Sequence, residues 1–160
     1  MLLGVVSDTP GHLANAEAAA RKLAEYEIAA VIHCGDIGGE AIIPLFAQWP
    51  THFVLGNVDD NAAALEEAIT AAGLFYHGRF GELQLGGRSI AFLHSDDSSR
   101  FEETVASQQY DLVCYGHTHV AAARQTGRTL VLNPGALFRA RTHTIVVVNL
   151  DDMTEKHVVV

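Results

Sequence analysis

Residues 111–119 read Asp-Leu-Val-Cys-Tyr-Gly-His-Thr-His, an apolar run that ends in a glycine and two histidines. The run predicts a buried strand, and Gly116 predicts the turn that follows it. His117 and His119 lie one residue apart, so a strand or a loop could direct both imidazoles toward one point. Imidazoles bind transition metals, and the pair therefore indicates a metal site just beyond a strand. Two surface histidines in a turn would give the same local pattern, so the interpretation depends on the remaining chain.

Four other strand-like runs are each followed by a residue that can bind a metal ion. The runs cover 2–6, 29–34, 51–55 and 88–93, and the residues are Asp8, Asp36, Asn57 and His94. Segments 13–26, 40–48 and 61–72, which are rich in helix-forming residues, predict helices between the first strands. Alternating strands and helices predict βαβ units in a parallel sheet, whose ligands lie beyond the carboxyl ends of the strands.

The second half of the chain predicts hairpins. Strand-like pairs flank Gly86-Gly87, Gly127-Arg128 and Asp151-Asp152, and they cover 80–85 with 88–93, 120–125 with 129–132, and 144–150 with 156–160. A helix is predicted over 98–108. These elements together predict a four-layer αββα sandwich of two mixed β-sheets flanked by helices, formed by residues 1–160 as a single domain.

Composition limits the class of protein. The chain has 160 residues, of which 49% are hydrophobic, and a formal net charge of −9. That charge opposes general nucleic-acid or membrane-surface binding but allows a small nucleotide. Cys34 and Cys114 lie in apolar runs, which predicts buried, reduced thiols. The first residues show no basic segment and only a short apolar run, so we expect a cytoplasmic protein.

The six candidate ligands combine carboxylate, amide and imidazole groups. This mixed nitrogen and oxygen set suits Zn, Mn, Fe, Ni or Co and has too much nitrogen for calcium. A carboxylate shared by two clusters could bridge two metals, an arrangement used for in-line displacement at phosphorus. Gly35, Gly56 and Gly116 each precede a candidate ligand, where a Cβ would crowd the site; an ordinary turn is the alternative explanation.

The blocks Asp8-Thr9, Gly35-Asp36, Gly56-Asn57-Val58-Asp59, His94 and Gly116-His-Thr-His resemble the signature of the calcineurin-like metallophosphoesterases. Their order and spacing resemble the small single-domain phosphodiesterase branch over nearly the whole chain. The Asn133-Pro-Gly turn is also similar. The resemblance implies a metal-dependent phosphoesterase that hydrolyses phosphodiesters by attack of a metal-bridged hydroxide.

The resemblance also implies the role of each residue. A first metal site would use Asp8, Asp36 and His119, and a second would use Asp36 as bridge with Asn57, His94 and His117. The cofactors would be two divalent ions, with Mn favoured and Fe, Zn or Ni as alternatives. Asn57, which would contact the phosphate, and His117 would be the catalytic residues. Asp59 would orient a ligand by hydrogen bonding.

Three positions depart from the family pattern. Pro10 stands where the family has a histidine ligand, which predicts a weakened first site. His12 could substitute for that ligand, although a histidine at a helix start is the simpler interpretation. Val58 stands where larger relatives have a histidine near the leaving group. Asp96 follows His94, where its charge could hold a metal water or repel an anionic substrate.

Two hypotheses follow. The first is an enzyme acting on a small phosphoester, such as a nucleotide, and the chain could form a homo-oligomer. The second is a scaffold or phosphate-binding module on the same fold, as in a retromer subunit; Pro10 and Val58 favour it. His33 is interpreted as a core residue or a support for a ligand. Arg139 and Arg141 could reach a phosphate or form a solvated pair. No nucleophile motif indicates covalent catalysis.

Overall fold

Two β-sheets form the centre of the computed structural model, which describes all 160 residues. In chain order the elements are β1 (Leu2–Val6), α1 (Leu13–Leu23), β2 (Ile28–His33), a 3-10 helix (Glu40–Phe46), β3 (Thr51–Phe53), α2 (Ala62–Ala71), β4 (Phe75–Tyr76), β5 (Phe80–Leu85), β6 (Arg88–Leu93), α3 (Ser98–Ala106), β7 (Leu112–Tyr115), β8 (Ala122–Thr126), β9 (Thr129–Asn133), β10 (Thr144–Asn149) and β11 (Thr154–Val159).

Both sheets are mixed. The first has the order β11-β10-β1-β2-β3-β4, in which β1 to β4 run parallel and β10 and β11 pair antiparallel. The second has the order β5-β6-β7-β9-β8, with β6, β7 and β9 parallel between two antiparallel edge strands. The parallel strands bring the ends of β1, β2 and β3 to one edge of the first sheet, and those of β6 and β7 to one edge of the second.

Three apolar clusters define the layers. A cluster of 15 buried residues, including Val5, Ile32 and Phe92, joins the inner faces of the two sheets. A second cluster of 19 buried residues packs α1, the 3-10 helix and α2 on the outer face of the first sheet. A smaller third cluster packs α3 on the outer face of the second sheet. The predicted αββα sandwich of two mixed sheets is confirmed.

Several element boundaries differ from the sequence prediction. Within segment 40–48, Glu40–Phe46 forms a 3-10 helix, and Pro44 inside it opposes α-helical geometry because its ring would clash with the carbonyl group four residues earlier. The helix predicted over 13–26 ends at Leu23 because the chain turns there to enter β2. Strand β4, which the sequence did not predict, has two residues that pair with β3. None of the helices has the length and apolarity required to span a membrane.

Candidate metal centre

The loops that follow five parallel strands meet at one end of the two sheets. Asp8, Asp36 and His94 each offer one ligand atom there, and these atoms lie within 4.8 Å of one another. Nε2 of His94 is 3.1 Å from Oδ1 of Asp36 and 3.9 Å from Oδ1 of Asp8. All three residues are buried. The strand ends of the two sheets therefore supply one compact cluster of two carboxylates and an imidazole.

The other three predicted ligands border this cluster. Nε2 of His119 lies 3.1 Å from Oδ1 of Asp8, and Oδ1 of Asn57 lies 3.1 Å from Nε2 of His94. The His117 ring packs edge-on against His94 with the ring centres 5.1 Å apart. Asn57 and His117 are exposed and face a cavity of about 490 Å³, whose wall also includes Asp36 and His119.

Asp8 has one oxygen that the protein leaves without a hydrogen bond. Its Oδ2 accepts hydrogen bonds from Ser7 Oγ at 2.6 Å and from the His117 backbone N–H at 3.2 Å. Its Oδ1 is buried and accepts none, although His119 is close. Burial raises the pKa of Asp8, against the opposing effects of the Ser7 hydrogen bond and the two histidines. A cation beside Oδ1 would supply the missing partner, so this carboxylate fits a metal ligand.

His94 is oriented from behind. Its Nδ1 lies 2.8 Å from the carbonyl oxygen of Cys34 and donates a proton to it, which leaves Nε2 free to face the two carboxylates. Burial favours the neutral ring, but the hydrogen bond to Asp36 and the charges of Asp36 and Asp8 raise the pKa of His94 overall. Burial alone would raise the pKa of Asp36. The hydrogen bond from His94, the charge of that ring and the Val58 backbone N–H together lower it.

Asp59 supports the site through the backbone. Its carboxylate accepts hydrogen bonds from the N–H groups of Ile37, Gly38 and Gly56 at 2.8 to 3.1 Å. These bonds tie the loop of Asp36 to the loop of Asn57. The sequence predicted that Asp59 orients a ligand by hydrogen bonding, and in the structure its hydrogen bonds go to the backbone of the two loops that carry Asp36 and Asn57.

Four of the proposed ligands have left-handed backbone conformations. The φ angles are 55° at Asp8, 53° at Asp36, 74° at His117 and 57° at His119. Non-glycine residues rarely adopt such angles, and the strain is typical of functional sites. Aspartate and histidine adopt this conformation more readily than most non-glycine residues, and it sets the direction of these four side chains.

Two glycines allow the loops to approach. A Cβ on Gly56 would overlap the carboxylate of Asp36, and one on Gly116 would lie 2.9 Å from Oδ2 of Asp8. The predicted reason for glycine at these two positions is confirmed.

The departures from the family pattern have clear places in the site. Pro10 lines the cavity beside Asp36 and offers no donor atom. His12 precedes α1, and its ring stacks on Phe138 at 5.4 Å, outside the cluster. Val58 is exposed at the cavity wall.

Asp96 forms an ion pair with Arg79, which offsets its charge. His33 is fully buried, and its Nε2 lies 3.2 Å from Thr9 Oγ1. Thr9 in turn donates to the carbonyl oxygens of the Asp36 loop. His33 is therefore a core residue that also supports a ligand loop, as the sequence suggested.

The sequence analysis did not identify two residues that shape the site. Ser7 fixes the Asp8 carboxylate, and Phe138 forms part of the cavity wall. A serine directly before a strand-end aspartate is a signal for the first, whereas no local pattern marks Phe138.

The fold and the cluster define a class of protein, an αββα sandwich with a candidate nitrogen–oxygen metal site at its strand ends. Residues 1–153 match the family model of the calcineurin-like phosphoesterase superfamily domain. The chain belongs to the calcineurin-like phosphoesterase superfamily, as its signature blocks predicted. The enzyme class that the sequence predicted, a metal-dependent phosphoric ester hydrolase, is the class of this family.

Relatives with known names agree with this assignment. The chain is 29% identical over 140 residues to phosphodiesterase MJ0936 of Methanocaldococcus jannaschii, covering 84% of this chain and 83% of that protein. The solved structure of an archaeal phosphodiesterase superposes with a TM-score of 0.90 at 26% identity, covering 100% of both chains. Vacuolar protein sorting 29 of Cryptosporidium parvum shares the fold, with a TM-score of 0.68 at 17% identity over 99% of this chain and 96% of that one.

Proposed function

We propose that this protein is a metal-dependent phosphodiesterase with a weakened first metal site. The observation that carries the proposal is the buried Oδ1 of Asp8, which has no hydrogen bond and lies among Asp36, His94 and His119. Two carboxylates and imidazoles that converge on such an atom form a donor set for Mn, Fe, Zn or Ni. The relatives named as phosphodiesterases support the reaction class.

We assign Asp8, Asp36 and His119 to the first ion and Asp36, Asn57, His94 and His117 to the second, with Mn as the favoured metal. The chemistry that bound ions supply in such a centre is neutralisation of phosphate charge and activation of water near neutral pH. The burial of Asp8 and Asp36 strengthens their attraction for a cation because little water competes for it.

The chain's own residues bind and position the substrate. The Asn57 amide is exposed at the cavity and can donate its N–H to a phosphate oxygen, while its Oδ1 faces His94. The His117 ring is also exposed, and it lines the same cavity as Asn57. Asp59 fixes the loop that presents Asn57, so the amide meets the phosphate without a large loss of entropy.

Pro10 weakens the first site because it replaces an imidazole with a side chain that has no ligand atom. The remaining first-site ligands are Asp8, Asp36 and His119, and water would complete the coordination. His12 does not fill the gap, since its ring is stacked on Phe138.

Manganese titration of metal-free protein tests the proposal, with bis(p-nitrophenyl) phosphate as substrate and a P10H variant in parallel. We expect activity in the natural protein at high Mn²⁺, and half-maximal activity of P10H at a metal concentration lower by about tenfold or more. An Asp36→Asn variant is the control and should be inactive in both backgrounds. Equal hydrolysis by metal-free and metal-loaded protein would refute the proposal.

The same manganese titration distinguishes the phosphodiesterase from the second candidate function. Likeness in fold to vacuolar protein sorting 29 and the missing ligand at Pro10 favour a scaffold or phosphate-binding module. Activity in P10H but not in the natural protein would support that function.

We also propose that residues 1–160 act as one domain in the cytoplasm, where Cys34 and Cys114 stay reduced; both are free and buried. A small phosphoester such as a nucleotide is the proposed substrate. Self-association into a homo-oligomer is compatible with this activity, and sedimentation velocity measures it.

A further inference from the structure

Two arginines next to the metal centre have no role in the mechanism above. We propose that Arg139 and Arg141 bind a second phosphate group, so that the substrate is a phosphodiester that carries a further phosphate on one ester arm. This inference rests on the proposed phosphodiesterase function and names its substrate class. Four observations support it.

The first observation is that a second cavity adjoins the first. It has a volume of about 440 Å³ and shares His119 and Arg139 with the central cavity. Its wall continues through Arg141 and Thr142. A substrate held at the metal cluster can therefore extend into this second cavity without leaving the protein surface.

The second observation is the charge of that wall. Nine residues line the second cavity, and none of them is an aspartate or a glutamate, although two are arginines. The whole chain carries a formal net charge of −9 and would otherwise repel an anionic substrate. A local concentration of positive charge on such a protein is suited to an anionic ligand.

The third observation is that neither arginine has an anionic partner. Arg79 and Arg128 pair with Asp96 and Asp111. The guanidinium of Arg139 instead lies over the Phe138 ring, 5.3 Å from its centre, which leaves its N–H groups free. Arginine binds phosphate through parallel hydrogen bonds. Two guanidinium groups without an anionic partner are therefore available to bind a phosphate group.

The fourth observation is that the arginine loop is fixed to the metal centre. The backbone N–H of Leu137 lies 3.3 Å from the carbonyl oxygen of Ser7 and 3.2 Å from that of Asp8. Asn15 then donates to the Leu137 carbonyl at 2.6 Å and lies 3.2 Å from His143 at the far end of the loop. The loop is therefore anchored on both sides of Arg139 and Arg141, next to a proposed ligand.

The charge of the substrate follows from these features. A phosphodiester has a single negative charge, which the metal centre and the Asn57 amide can accommodate. Arg139 at the border of the two cavities and Arg141 in the second cavity add two further cations, which are in excess for a simple diester. A nucleotide-type diester with a second phosphate supplies the matching charge.

The test compares two chromogenic esters that differ in one group: the p-nitrophenyl ester of thymidine 5′-phosphate, and the same ester with a 3′-phosphate. We expect Mn²⁺-loaded protein to have the higher kcat/KM for the ester with the added phosphate. Arg141→Gln should reduce this preference about tenfold, because one charged hydrogen-bonding partner is lost, and R139Q/R141Q should abolish it. Arg21→Gln, which removes an exposed charge from α1, should keep the preference.

Calorimetric binding to the metal-loaded protein gives a second readout that needs no turnover. Thymidine 3′,5′-bisphosphate should bind more tightly than thymidine 5′-phosphate, and R139Q/R141Q should remove the difference. Equal losses for both ligands in that variant would overturn the inference, because the arginines would then act on the common phosphate. Unchanged selectivity would overturn it as well. If neither ester is hydrolysed, the proposed activity fails, and the binding comparison still decides the role of the arginines.

Discussion

Acid should destabilise this protein through His33. The ring is fully buried, stacks on Phe53 at 5.4 Å, and has only one polar neighbour within hydrogen-bonding distance. The hydroxyl of Thr9 donates to the Ile37 carbonyl at 2.8 Å, so it can accept a proton from Nε2. Nδ1 has no partner, and the proton of a charged ring would therefore point into the core without an acceptor. Burial accordingly lowers the pKa of His33 to about 3.

The size of the effect follows from linkage. In the unfolded chain a histidine has a pKa of about 6.5, so below that pH the unfolded state binds a proton that the folded state rejects. The neutral ring makes its full contribution to the free energy of unfolding above about pH 6.5. This contribution decreases by about 1.4 kcal/mol per pH unit as the pH falls toward 3. Between pH 7.5 and 4.5 the loss is about 2.7 kcal/mol, a large part of the stability of a typical domain.

Urea unfolding of the metal-free protein at pH 7.5 and 4.5 measures this loss of stability, and His33→Leu is the variant for comparison. Other groups titrate in both proteins, so the difference between them isolates His33. We expect the natural protein to lose about 2.7 kcal/mol more than H33L over this range. Phe46→Leu, a core change without a titratable group, should shift stability equally at both pH values. A pH dependence in H33L equal to that of the natural protein would refute the reasoning.

Three shorter predictions concern the loops and the thiols. Gly56→Ala should weaken Mn²⁺ binding at least about tenfold by calorimetry, because its Cβ would displace the Asp36 carboxylate. Asp59→Ala should lower the free energy of unfolding by about 3 kcal/mol in urea, since backbone N–H groups lose their acceptor; Asp59→Asn should cost less. Cys34 and Cys114 should react with a disulfide reagent only as fast as the protein unfolds, because burial raises the pKa of both thiols well above the usual cysteine value.

The predictable parts of the fold are those with a local pattern. The apolar runs of β1, β2 and β6 are long enough to identify, and Gly86-Gly87 marks a hairpin because it can adopt positive φ angles. Strand β4 has two residues, so no periodicity can reveal it, and its pairing with β3 is a tertiary contact. The sequence also contained the reason for the 3-10 helix, since Pro44 was visible, but propensity alone does not choose between helix types.

The sequence predicted which residues would form the site, but it did not predict the contacts that hold them in place. Asp8 and Asp36 could be grouped because the parallel strands β1 and β2 end at a common edge, whereas His94 follows a strand of the second sheet and was grouped with them through the family resemblance. The role of Asp59 could not be found this way, because its acceptor oxygens serve backbone groups in a different loop. The bond from Leu137 to Asp8 joins residues far apart in the chain, and no sequence pattern predicts such a contact.

The energetic character of Asp8 and Asp36 bears on whether this chain is an enzyme or a scaffold. Each has a left-handed backbone conformation, which costs about 1 kcal/mol or more in a non-glycine residue. Asp8 adds the cost of a buried carboxylate oxygen without a hydrogen bond. The hydrogen bonds to Oδ2 of Asp8 leave this second oxygen without a partner. A bound cation would supply that partner, so the unsatisfied oxygen of Asp8 supports a working metal site despite the proline at position 10.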